Sequence, residues 1–412
     1  MNGSEIECDI VSQMEQRNSN SPAFYPLAAD NWDISELESI QQVITSNMFT
    51  MGNKVKIFES SVASKFNSRF AVMVNSGSSA NLLMLAALKI LLSKNKKLPE
   101  NPNIIVPAVS WSTTYTPSYY LGYKLKFCDV DSNHFGLSAD STIRAIDNDT
   151  IAILAVNLLG SPSDLVRLKQ LAEEKGIILL EDNCESLGAS LEDKFTGTFG
   201  LMASHSSFFS HHINSMEGGW VTTNSEEIFE ILVSLRAHGW TRQLPPESIF
   251  REKKLDSDWF DAQFEFVLPG FNLRPLEIEA AIASVQLSKI DKMLNVRRQN
   301  ADLLIDFLKG SSNIRLQNPI GNSSWFAFAL LFDSNSQRNL VANSFRQNGI
   351  ECRPVVTGNF IRQPVMNYLK FEVTEDLKNA DLLHDNGLYI GNHPHDLSKE
   401  LDVAVSIIRM FN

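Results

Sequence analysis

Three short apolar segments stand out in the first half of the chain, at residues 103–109, 151–160 and 176–183. Each is continuously apolar and bounded by turn-forming residues, without the alternation of apolar and polar positions that a half-exposed strand shows. Such runs are typical of strands buried on both faces, as in a parallel sheet covered by helices. We therefore expect alternating strands and helices between residues 35 and 275.

The segment that links the last two runs predicts a crossover helix. Ser161 can serve as its N-cap, Pro162 suits its first turn, and Gly176 can close it as the C-cap. Between them, apolar residues recur at helical spacing from Leu165 to Ala172. A strand, a helix and a second strand in this order indicate an α/β fold with a mostly parallel sheet and helices on both faces.

The pattern changes after Pro275. The residues Leu287, Ile290 and Leu294 open a predicted long helix that continues through Phe307, and a mixed α+β tail follows. This predicts a large domain over residues 30–275 and a smaller C-terminal domain over residues 276–412. Residues 1–29 begin with polar runs of Asn and Ser, and we expect this segment to be partly flexible.

Composition narrows the functional class. A chain of 412 residues with a hydrophobic fraction of 43% and a net charge of −12 is typical of a globular protein. The acidic balance argues against a nucleic-acid-binding or membrane-binding surface, since either would favour basic residues. We see no apolar run long enough to span a membrane and no signal peptide, so we expect a cytoplasmic location.

The cysteines are scattered and predict no metal site. Cys8, Cys128, Cys184 and Cys352 include no Cys-x-x-Cys pair. Reduced thiols in a cytosol fit this spacing better than a disulfide framework or a zinc site. It also disfavours an iron–sulfur cluster.

Residues 75–80, Asn-Ser-Gly-Ser-Ser-Ala, precede an apolar helix at residues 82–92. Free backbone N–H groups at a helix N-terminus, together with the hydroxyls of Ser78 and Ser79, can bind an anion such as a phosphate. The same residues can also serve only as a helix cap, and the segment alone does not decide between these interpretations.

Residues 181–188 place Asp182 at the carboxyl end of a predicted buried strand. An aspartate there can pair with a protonated pyridine nitrogen, but it can equally be an N-cap or a turn residue. Trp111 follows the first apolar run, and as an isolated tryptophan it is more often part of a core than of a binding site.

Residues 206–219 contain two adjacent histidines, His211 and His212. By themselves they would more often be buried structural histidines than catalytic ones. The segment resembles the nucleotide-sugar aminotransferases of the aspartate aminotransferase fold, in which Ser-x-x-x-x-Lys is followed six residues later by Glu-Gly-Gly. Ser206 lies five residues before His211 and Glu217 six after it, so histidine stands where those enzymes have their lysine. An imidazole can move protons near neutral pH. It cannot form the Schiff base by which the lysine of those enzymes holds their cofactor.

The resemblance covers about residues 30–400 and implies fold type I and the cofactor pyridoxal 5′-phosphate (PLP) or its pyridoxamine form (PMP). It implies that Asp182 is the partner of the pyridine nitrogen, that Trp111 stacks on the ring, and that Glu185 stands where relatives have Gln or His. For the cofactor phosphate, the residues it implies are Ser78, Ser79, Ser206 and Asn272. It further implies a homodimer with shared active sites, in which Asn272 reaches the neighbouring subunit's phosphate.

Several further stretches resemble the dehydratases of this family more than its aminotransferases. They are residues 236–242, 258–260, 324–326 and 349–360. This likeness implies removal of the C3 hydroxyl from a GDP-linked 4-keto-6-deoxy sugar, with His211 as base and acid and L-glutamate as amino donor. Such a reaction belongs to the synthesis of 3,6-dideoxyhexoses for surface polysaccharide.

Four residues are candidates for binding the substrates. Arg242 and Arg274 offer planar forks for the carboxylates of glutamate. Arg353 is a further candidate for substrate binding, and His238 can act near the sugar or serve only in packing.

Two alternatives remain open. An aminotransferase that tolerates histidine would produce a 4-amino sugar, and a catalytically silent sugar-binding paralogue would produce nothing. The cofactor residues that match the family argue against the second. Ser207, where relatives usually have an aromatic residue, departs from the pattern without an evident function.

Overall fold

A computed structural model describes residues 23–29, 31–251, 259–311 and 313–411. Of the segment 1–29 that the sequence predicts to be partly flexible, residues 1–22 lie outside these ranges. Cys8 and Asp258 also lie outside them. The strands, in chain order, are β1 Phe70–Val74, β2 Asn103–Pro107, β3 Lys124–Cys128, β4 Thr150–Val156, β5 Ile178–Asp182, β6 Ser190–Leu191, β7 Lys194–Phe195, β8 Met202–Ser206, β9 Gly219–Thr223, β10 Ile314–Leu316, β11 Ala327–Phe332, β12 Cys352–Arg353, β13 Phe371–Val373 and β14 Gly387–Gly391.

Helices alternate with the strands through the first part of the chain. They are α1 Ile34–Ser46, α2 Asn53–Lys65, α3 Gly77–Lys94, α4 Ser112–Tyr115, α5 Pro117–Leu121, α6 Ala139–Ala145, α7 Leu165–Lys175, α8 Glu226–Arg236, α9 Glu277–Phe307, α10 Asn335–Gln347, α11 Lys378–Asn386 and α12 Ser398–Arg409. Short 3₁₀ turns lie at Leu158–Gly160, Asp261–Phe264, Phe360–Arg362 and Pro364–Tyr368.

The central sheet has the strand order β1-β9-β8-β5-β4-β2-β3-β13. Pairings from β13 across to β8 are parallel, and β9 and β1 are added antiparallel at one edge. Helices cover both faces, as β2 shows: Ile104 and Val106 pack in one apolar cluster, while Ile105 packs with Leu168 of α7 in another. The predicted α/β fold with a mostly parallel, helix-flanked sheet is confirmed.

The crossover helix α7 begins later than the sequence predicts. Its N-cap is Asp164, whose carboxylate accepts a hydrogen bond from the Arg167 N–H, so the assignment of Ser161 as N-cap is wrong. The reason is that β4 ends at Val156 and the chain then makes the 158–160 turn, in which Leu159 has a φ of +53°. The predicted C-cap is correct, since Gly176 has a φ of +66° in the left-handed region.

The C-terminal region is built on α9 and a second, antiparallel sheet of order β10-β11-β14-β12. The helix α9 ends at Phe307 as predicted but begins at Glu277, well before Leu287. This region also contributes β13, which pairs with β3 at the edge of the central sheet. The predicted division between residues 275 and 276 therefore stays a prediction.

Residues 23–29 lie against the C-terminal sheet. Tyr25 is completely buried, and its hydroxyl donates a hydrogen bond to the Gly391 carbonyl at 2.5 Å. Among the described residues, no helix is both long and apolar enough to cross a membrane. The same residues include no group of three or more His, Cys, Asp or Glu that could hold a metal ion.

Candidate active site

A cleft of about 460 Å³ opens at the carboxyl ends of the parallel strands. Open α/β sheets commonly bind ligands at this edge, because loops from neighbouring strands converge there. The cleft brings together a majority of the residues singled out in the sequence. These are Ser78, Trp111, Asp182, Glu185, Ser206, His211 and Arg353.

Asp182 is the last residue of β5 and lies buried at the floor of the cleft. Its Oδ2 accepts hydrogen bonds from Asn81 Nδ2 and Thr114 Oγ1, each at 2.8 Å, and its Oδ1 accepts one from the Cys184 N–H at 3.2 Å. Three donors therefore fix the carboxylate in one orientation. Asn81 was not anticipated from the sequence, although it lies one helical turn after Ser78 and so shares a face of α3 with it.

The N-terminus of α3 forms one end of the cleft. Ser76 is the N-cap, and its hydroxyl accepts a hydrogen bond from the Ser79 N–H at 3.1 Å. Ser78 Oγ lies 2.8 Å from Thr113 Oγ1 at the lining of the cleft, whereas the Ser79 hydroxyl accepts a hydrogen bond from Ser76 Oγ. The two interpretations of this segment are therefore compatible: Ser76 caps the helix, while Ser78 lies at the cleft, where an anion could bind.

Glycines allow the helix and strands to approach closely here. A side chain at Gly77 would place its Cβ 2.6 Å from the Cβ of Ser206, and one at Gly219 would lie 2.5 Å from the Ser76 carbonyl carbon. Both distances are far shorter than a van der Waals contact. Ser206, at the end of β8, therefore lies directly beside the N-terminus of α3, where its hydroxyl lines the cleft.

His211 lies on the loop between β8 and β9 and lines the cleft. Its imidazole is flanked by two aromatic rings, with centroids 6.0 Å from Phe208 and 5.0 Å from Phe326, both edge-to-face. Burial, and secondarily the positive charge of Arg297, lower the pKa of His211 to about 4. The imidazole is therefore neutral at physiological pH and can accept a proton.

His212 has a different environment. It is buried, and its Nε2 lies 3.1 Å from the Ser324 carbonyl, to which it donates a hydrogen bond. Burial above all holds its pKa well below the usual range. His212 is not among the residues that line the cleft in the described part of the chain, so the structure places His211 alone of the pair at the site.

Ser207 closes the loop that carries His211. Its Oγ accepts a hydrogen bond from Ser215 Oγ at 2.6 Å, and its backbone pairs with Ser215 and Gly218 across the loop. A Cβ at Gly218 would lie 2.5 Å from Ser207 Oγ, so the Ser207 hydroxyl packs directly against this glycine. Ser207 thus has a structural role that the sequence did not indicate.

Glu185 extends into the opposite side of the cleft. Burial, reinforced by the negative charge of Asp182, raises its pKa to about 7, although its Oε2 accepts a hydrogen bond from the Leu159 N–H at 2.9 Å. Tyr389, which lines the same cleft, was not anticipated from the sequence; burial and the charge of Glu185 raise its pKa. No local motif marks Tyr389, since β14 brings it to the site from the C-terminal sheet.

Five of the predicted residues do not line the cleft of their own chain, and one of them is Ser79, whose hydroxyl is bonded to Ser76 instead. The others are Asn272, Arg274, Arg242 and His238. Asn272 is exposed, and its Oδ1 accepts a hydrogen bond from Arg274 Nε at 2.9 Å. Arg242 is exposed and packs over the Trp240 ring at 5.1 Å. His238 is also exposed, with a φ of +67°. The roles proposed for these residues stay predictions.

The residues of the cleft fit a phosphorylated pyridine cofactor. Asp182 offers a rigid carboxylate for a protonated ring nitrogen, and Trp111, 54% exposed, offers an aromatic face. Ser78, Ser206 and the α3 N-terminus offer donors for a phosphate. Among the described residues, no lysine lines the cleft, so nothing there can tether such a cofactor covalently.

The fold and the residues of the cleft indicate the class of protein to which this chain belongs. The chain belongs to the DegT/DnrJ/EryC1/StrS aminotransferase family, whose model matches residues 31–409. It is 46% identical to the GDP-4-keto-6-deoxy-D-mannose 3-dehydratase of Escherichia coli O55:H7, over 93% of this chain and 99% of that enzyme.

Solved structures agree with this assignment. The E. coli GDP-4-keto-6-deoxy-D-mannose 3-dehydratase with bound hydrated PLP superposes with a TM-score of 0.90 at 45% identity, covering 94% of this chain and 99% of that one. A structure of GDP-4-keto-6-deoxymannose 3-dehydratase with a trapped PLP-glutamate geminal diamine has a TM-score of 0.88 at 45% identity, covering 93% and 100%. The resemblance stated from the sequence is confirmed.

Proposed function

We propose that this protein is a PLP/PMP-dependent 3-dehydratase that removes the C3 hydroxyl of GDP-4-keto-6-deoxy-D-mannose. The observation that carries the proposal is His211, a neutral imidazole in a cleft to which the described residues contribute no lysine. An enzyme with this site keeps a proton carrier but has no amine that could form a covalent link to the cofactor. The similarity to a named 3-dehydratase over nearly its whole length supports the same substrate.

Each cofactor contact has a distinct task. Asp182 would stabilise the positive charge on the ring nitrogen, while Trp111 would cover one face of the ring. Ser78, Ser79 and Ser206, with the N-terminus of α3, would hold the phosphate. When bound in its pyridoxamine form, the cofactor supplies an amine that condenses with the C4 ketone and a conjugated system that accepts electrons. Glu185 would lie beside the ring.

His211 would move the protons of the elimination. As a neutral base, one of its imidazole nitrogens accepts the proton released from the cofactor's C4′ carbon. The resulting imidazolium is an acid, and it donates that proton to the C3 hydroxyl, which leaves as water. One residue can perform both transfers if the two positions lie on the same face of the bound ring. Hydrolysis would then release the 3-deoxy-4-keto sugar and ammonia and leave the cofactor in its pyridoxal form.

L-glutamate would restore the pyridoxamine form. Arg353 lines the cleft, so it can reach an anionic substrate there. Arg242 and His238 are exposed and Arg274 is half-buried, and none of the three lines the cleft of its own chain. We propose that they act at the active site of a neighbouring subunit. Asn272 would do the same for the cofactor phosphate, which makes a homodimer with shared active sites the working unit.

The wider setting is proposed from the same chemistry. The product would be a precursor of a 3,6-dideoxyhexose, a component of O-antigen and other surface polysaccharides, and the proposed location of the enzyme is the cytoplasm. We also propose that residues 30–275 form the cofactor-binding domain and residues 276–412 the smaller domain. The segment 1–29 precedes both.

The direct test is a product analysis. Purified protein would be incubated with PLP, L-glutamate and GDP-4-keto-6-deoxy-D-mannose, and the nucleotide sugar would be examined by mass spectrometry while ammonia is assayed. A 3-deoxy product with ammonia released in equal amount supports the proposal. A 4-amino sugar without ammonia would identify an aminotransferase, and unchanged substrate would indicate a silent paralogue.

A further inference from the structure

Residues 323–326, Ser-Ser-Trp-Phe, form a loop that connects the C-terminal sheet to the active site; we call it the 323–326 loop. The Ser324 N–H donates to the Gly160 carbonyl at 2.9 Å, and the Phe326 N–H donates to the Leu159 carbonyl at 3.2 Å. Trp325 has a φ of +46°, which is strained for a bulky residue. A strained conformation persists only where its surroundings enforce it, so the position of this loop is closely determined.

Arg297 of α9 holds the other side of the loop. Its side chain is buried, and one guanidinium nitrogen, Nη1, donates to the carbonyls of Phe326 (3.1 Å) and Asn392. Within the described ranges, no carboxylate forms an ion pair with Arg297. Burial of a charge of this kind is unfavourable, and the hydrogen bonds to the Phe326 and Asn392 carbonyls compensate for part of that cost.

The contacts of Arg297 lead through Phe326 to His211, the proposed base. Arg297 fixes the backbone of Phe326, and the Phe326 ring lies edge-to-face against the His211 imidazole at 5.0 Å. Phe208 packs against another side of the same imidazole. The only side-chain hydrogen-bond contact that the described residues give His211 is Ser210 Oγ, 3.5 Å from Nδ1. Ring packing, more than hydrogen bonding, therefore sets the orientation of this imidazole.

We propose that Arg297 is a positioning residue for His211, acting through the backbone and ring of Phe326. Its buried positive charge adds to the effect of burial in disfavouring protonation of the imidazole. The inference rests on the proposed function in taking His211 as the base. The sign of the charge effect follows from electrostatics, because a nearby cation disfavours a second positive charge. In agreement, burial and then Arg297 lower the pKa of His211.

Other ionisable groups face the same space. They line the cleft or adjoin it, and they are Asp182, Glu185, Glu217, Arg353, Tyr389 and His212. Carboxylates among them would raise the basicity of the imidazole when ionised, whereas Arg353 and Arg297 oppose this. Arg297 differs from Arg353 in contacting the residue that packs on His211, so substitution of Arg297 should change both orientation and protonation.

The experiment titrates His211 in the cofactor-free protein by NMR of ¹⁵N-labelled histidine, assigned with His211→Gln. The variants are Arg297→Met, Arg297→Lys and Phe326→Leu. Arg298→Met is the matched control, since Arg298 contacts the same loop at the Ser323 carbonyl (3.0 Å) and also bonds the Gly188 carbonyl. Folding of each variant is checked by circular dichroism.

We expect Arg297→Met to move the His211 midpoint upward by about one pH unit, as for loss of a nearby charge. Arg297→Lys should retain most of the low midpoint, and Arg298→Met should leave it unchanged. In the holoenzyme, Arg297→Met and Phe326→Leu should each lower kcat about tenfold with KM changed less than about threefold.

An unchanged His211 midpoint and kcat in folded Arg297→Met would overturn the proposal, as would an equal effect in Arg298→Met. If Arg297→Met does not fold, Phe326→Leu decides, because wild-type kcat in that variant would exclude positioning through the ring. The titration needs neither cofactor nor substrate. A wild-type protein that fails to dehydrate the sugar would therefore contradict the proposed function while leaving this test intact.

Discussion

The imidazole of His212 donates from Nε2 to the carbonyl of Ser324 at 3.1 Å, across 112 positions of the chain. In the part of the chain that the structure describes, the imidazole of its neighbour His211 has no backbone hydrogen-bond partner, and it lines the cleft instead. Of these two adjacent histidines, His212 therefore has a structural role, and His211 is the one placed for chemistry in the cleft. Their substitution should separate the two roles.

We expect His211→Ala to abolish dehydration while its free energy of unfolding stays within about 1 kcal/mol of the wild type, because little structural bonding is lost. His212→Ala should instead lower the free energy of unfolding by about 1–3 kcal/mol, since it leaves a buried carbonyl unpaired. Urea denaturation and an ammonia-release assay would measure both. An inactive His212→Ala beside an active His211→Ala would show that the assignment is wrong by one residue.

The absence of a tethering lysine should be visible chemically. Borohydride treatment of the protein with PLP should leave no reduced cofactor attached to any lysine, because no lysine of the described residues lines the cleft. Intact-mass and peptide mass spectrometry would measure this. A reduced adduct on one lysine in stoichiometric yield would contradict it.

Introducing the lysine provides the complementary experiment. His211→Lys should lower the dehydration rate at least about a hundredfold, because the new amine competes for the cofactor aldehyde and differs from imidazole in reach and pKa. After borohydride treatment, the same variant should carry the reduced cofactor covalently attached to the new lysine. Dehydration at the wild-type rate would show that His211 is not the proton carrier.

Asn272 provides the test of shared active sites. Asn272→Ala should raise the dissociation constant of the cofactor about tenfold, as expected for loss of one hydrogen bond to a charged group worth about 1.5 kcal/mol. Fluorescence titration with PMP would measure it. Arg274→Met would be informative beside it, since Arg274 bonds the Asn272 amide oxygen and orients it.

Mixing subunits separates donation to a neighbour from action within the same chain. If Asn272 serves the neighbouring subunit, a mixed dimer of Asn272→Ala and His211→Ala subunits contains one site with both residues intact. Activity should partly recover at PMP concentrations that leave the Asn272→Ala homodimer empty. Proven subunit exchange without recovery would place Asn272 at the site of its own chain.

The buried His205 predicts a pH dependence of stability. It stacks on Trp220, with ring centroids 4.9 Å apart, and burial lowers its pKa to about 3. The unfolded chain binds a proton near pH 6.5 while the folded chain does not, so stability is lost as pH falls from 6.5 towards 3. Between pH 7 and pH 5 this one residue contributes about 2 kcal/mol of that loss.

Urea unfolding at pH 7 and pH 5 would measure the effect in the wild type and in His205→Gln. The glutamine variant should be less stable at pH 7 but should lose less stability on acidification. His395→Gln is a suitable control, because His395 is less buried than His205 and the negative charge of Glu400 partly offsets the lowering of its pKa. Equal acid sensitivity of His205→Gln and the wild type would contradict the assignment.

Much of the architecture could be predicted from local pattern. The buried runs that become β2, β4 and β5 were identifiable because parallel strands covered on both faces need continuous apolar sequence. Gly176 could be assigned as a C-cap because a left-handed residue favours glycine. Ser161 could not be excluded as the N-cap, since the turn at Leu158–Gly160 that displaces the helix start depends on its packing against the 323–326 loop.

The sequence by itself determined the histidine at position 211, the carboxylate at 182 and the serines before α3, because their spacings within short segments match a known family. It did not determine what surrounds them. Arg297, Phe326 and Tyr389 come from the C-terminal region, and His212 and Ser207 acquire their roles from partners on other elements or across a loop. Only the tertiary structure decided these, because a side chain's burial and charge environment depend on residues distant in sequence that folding brings into contact.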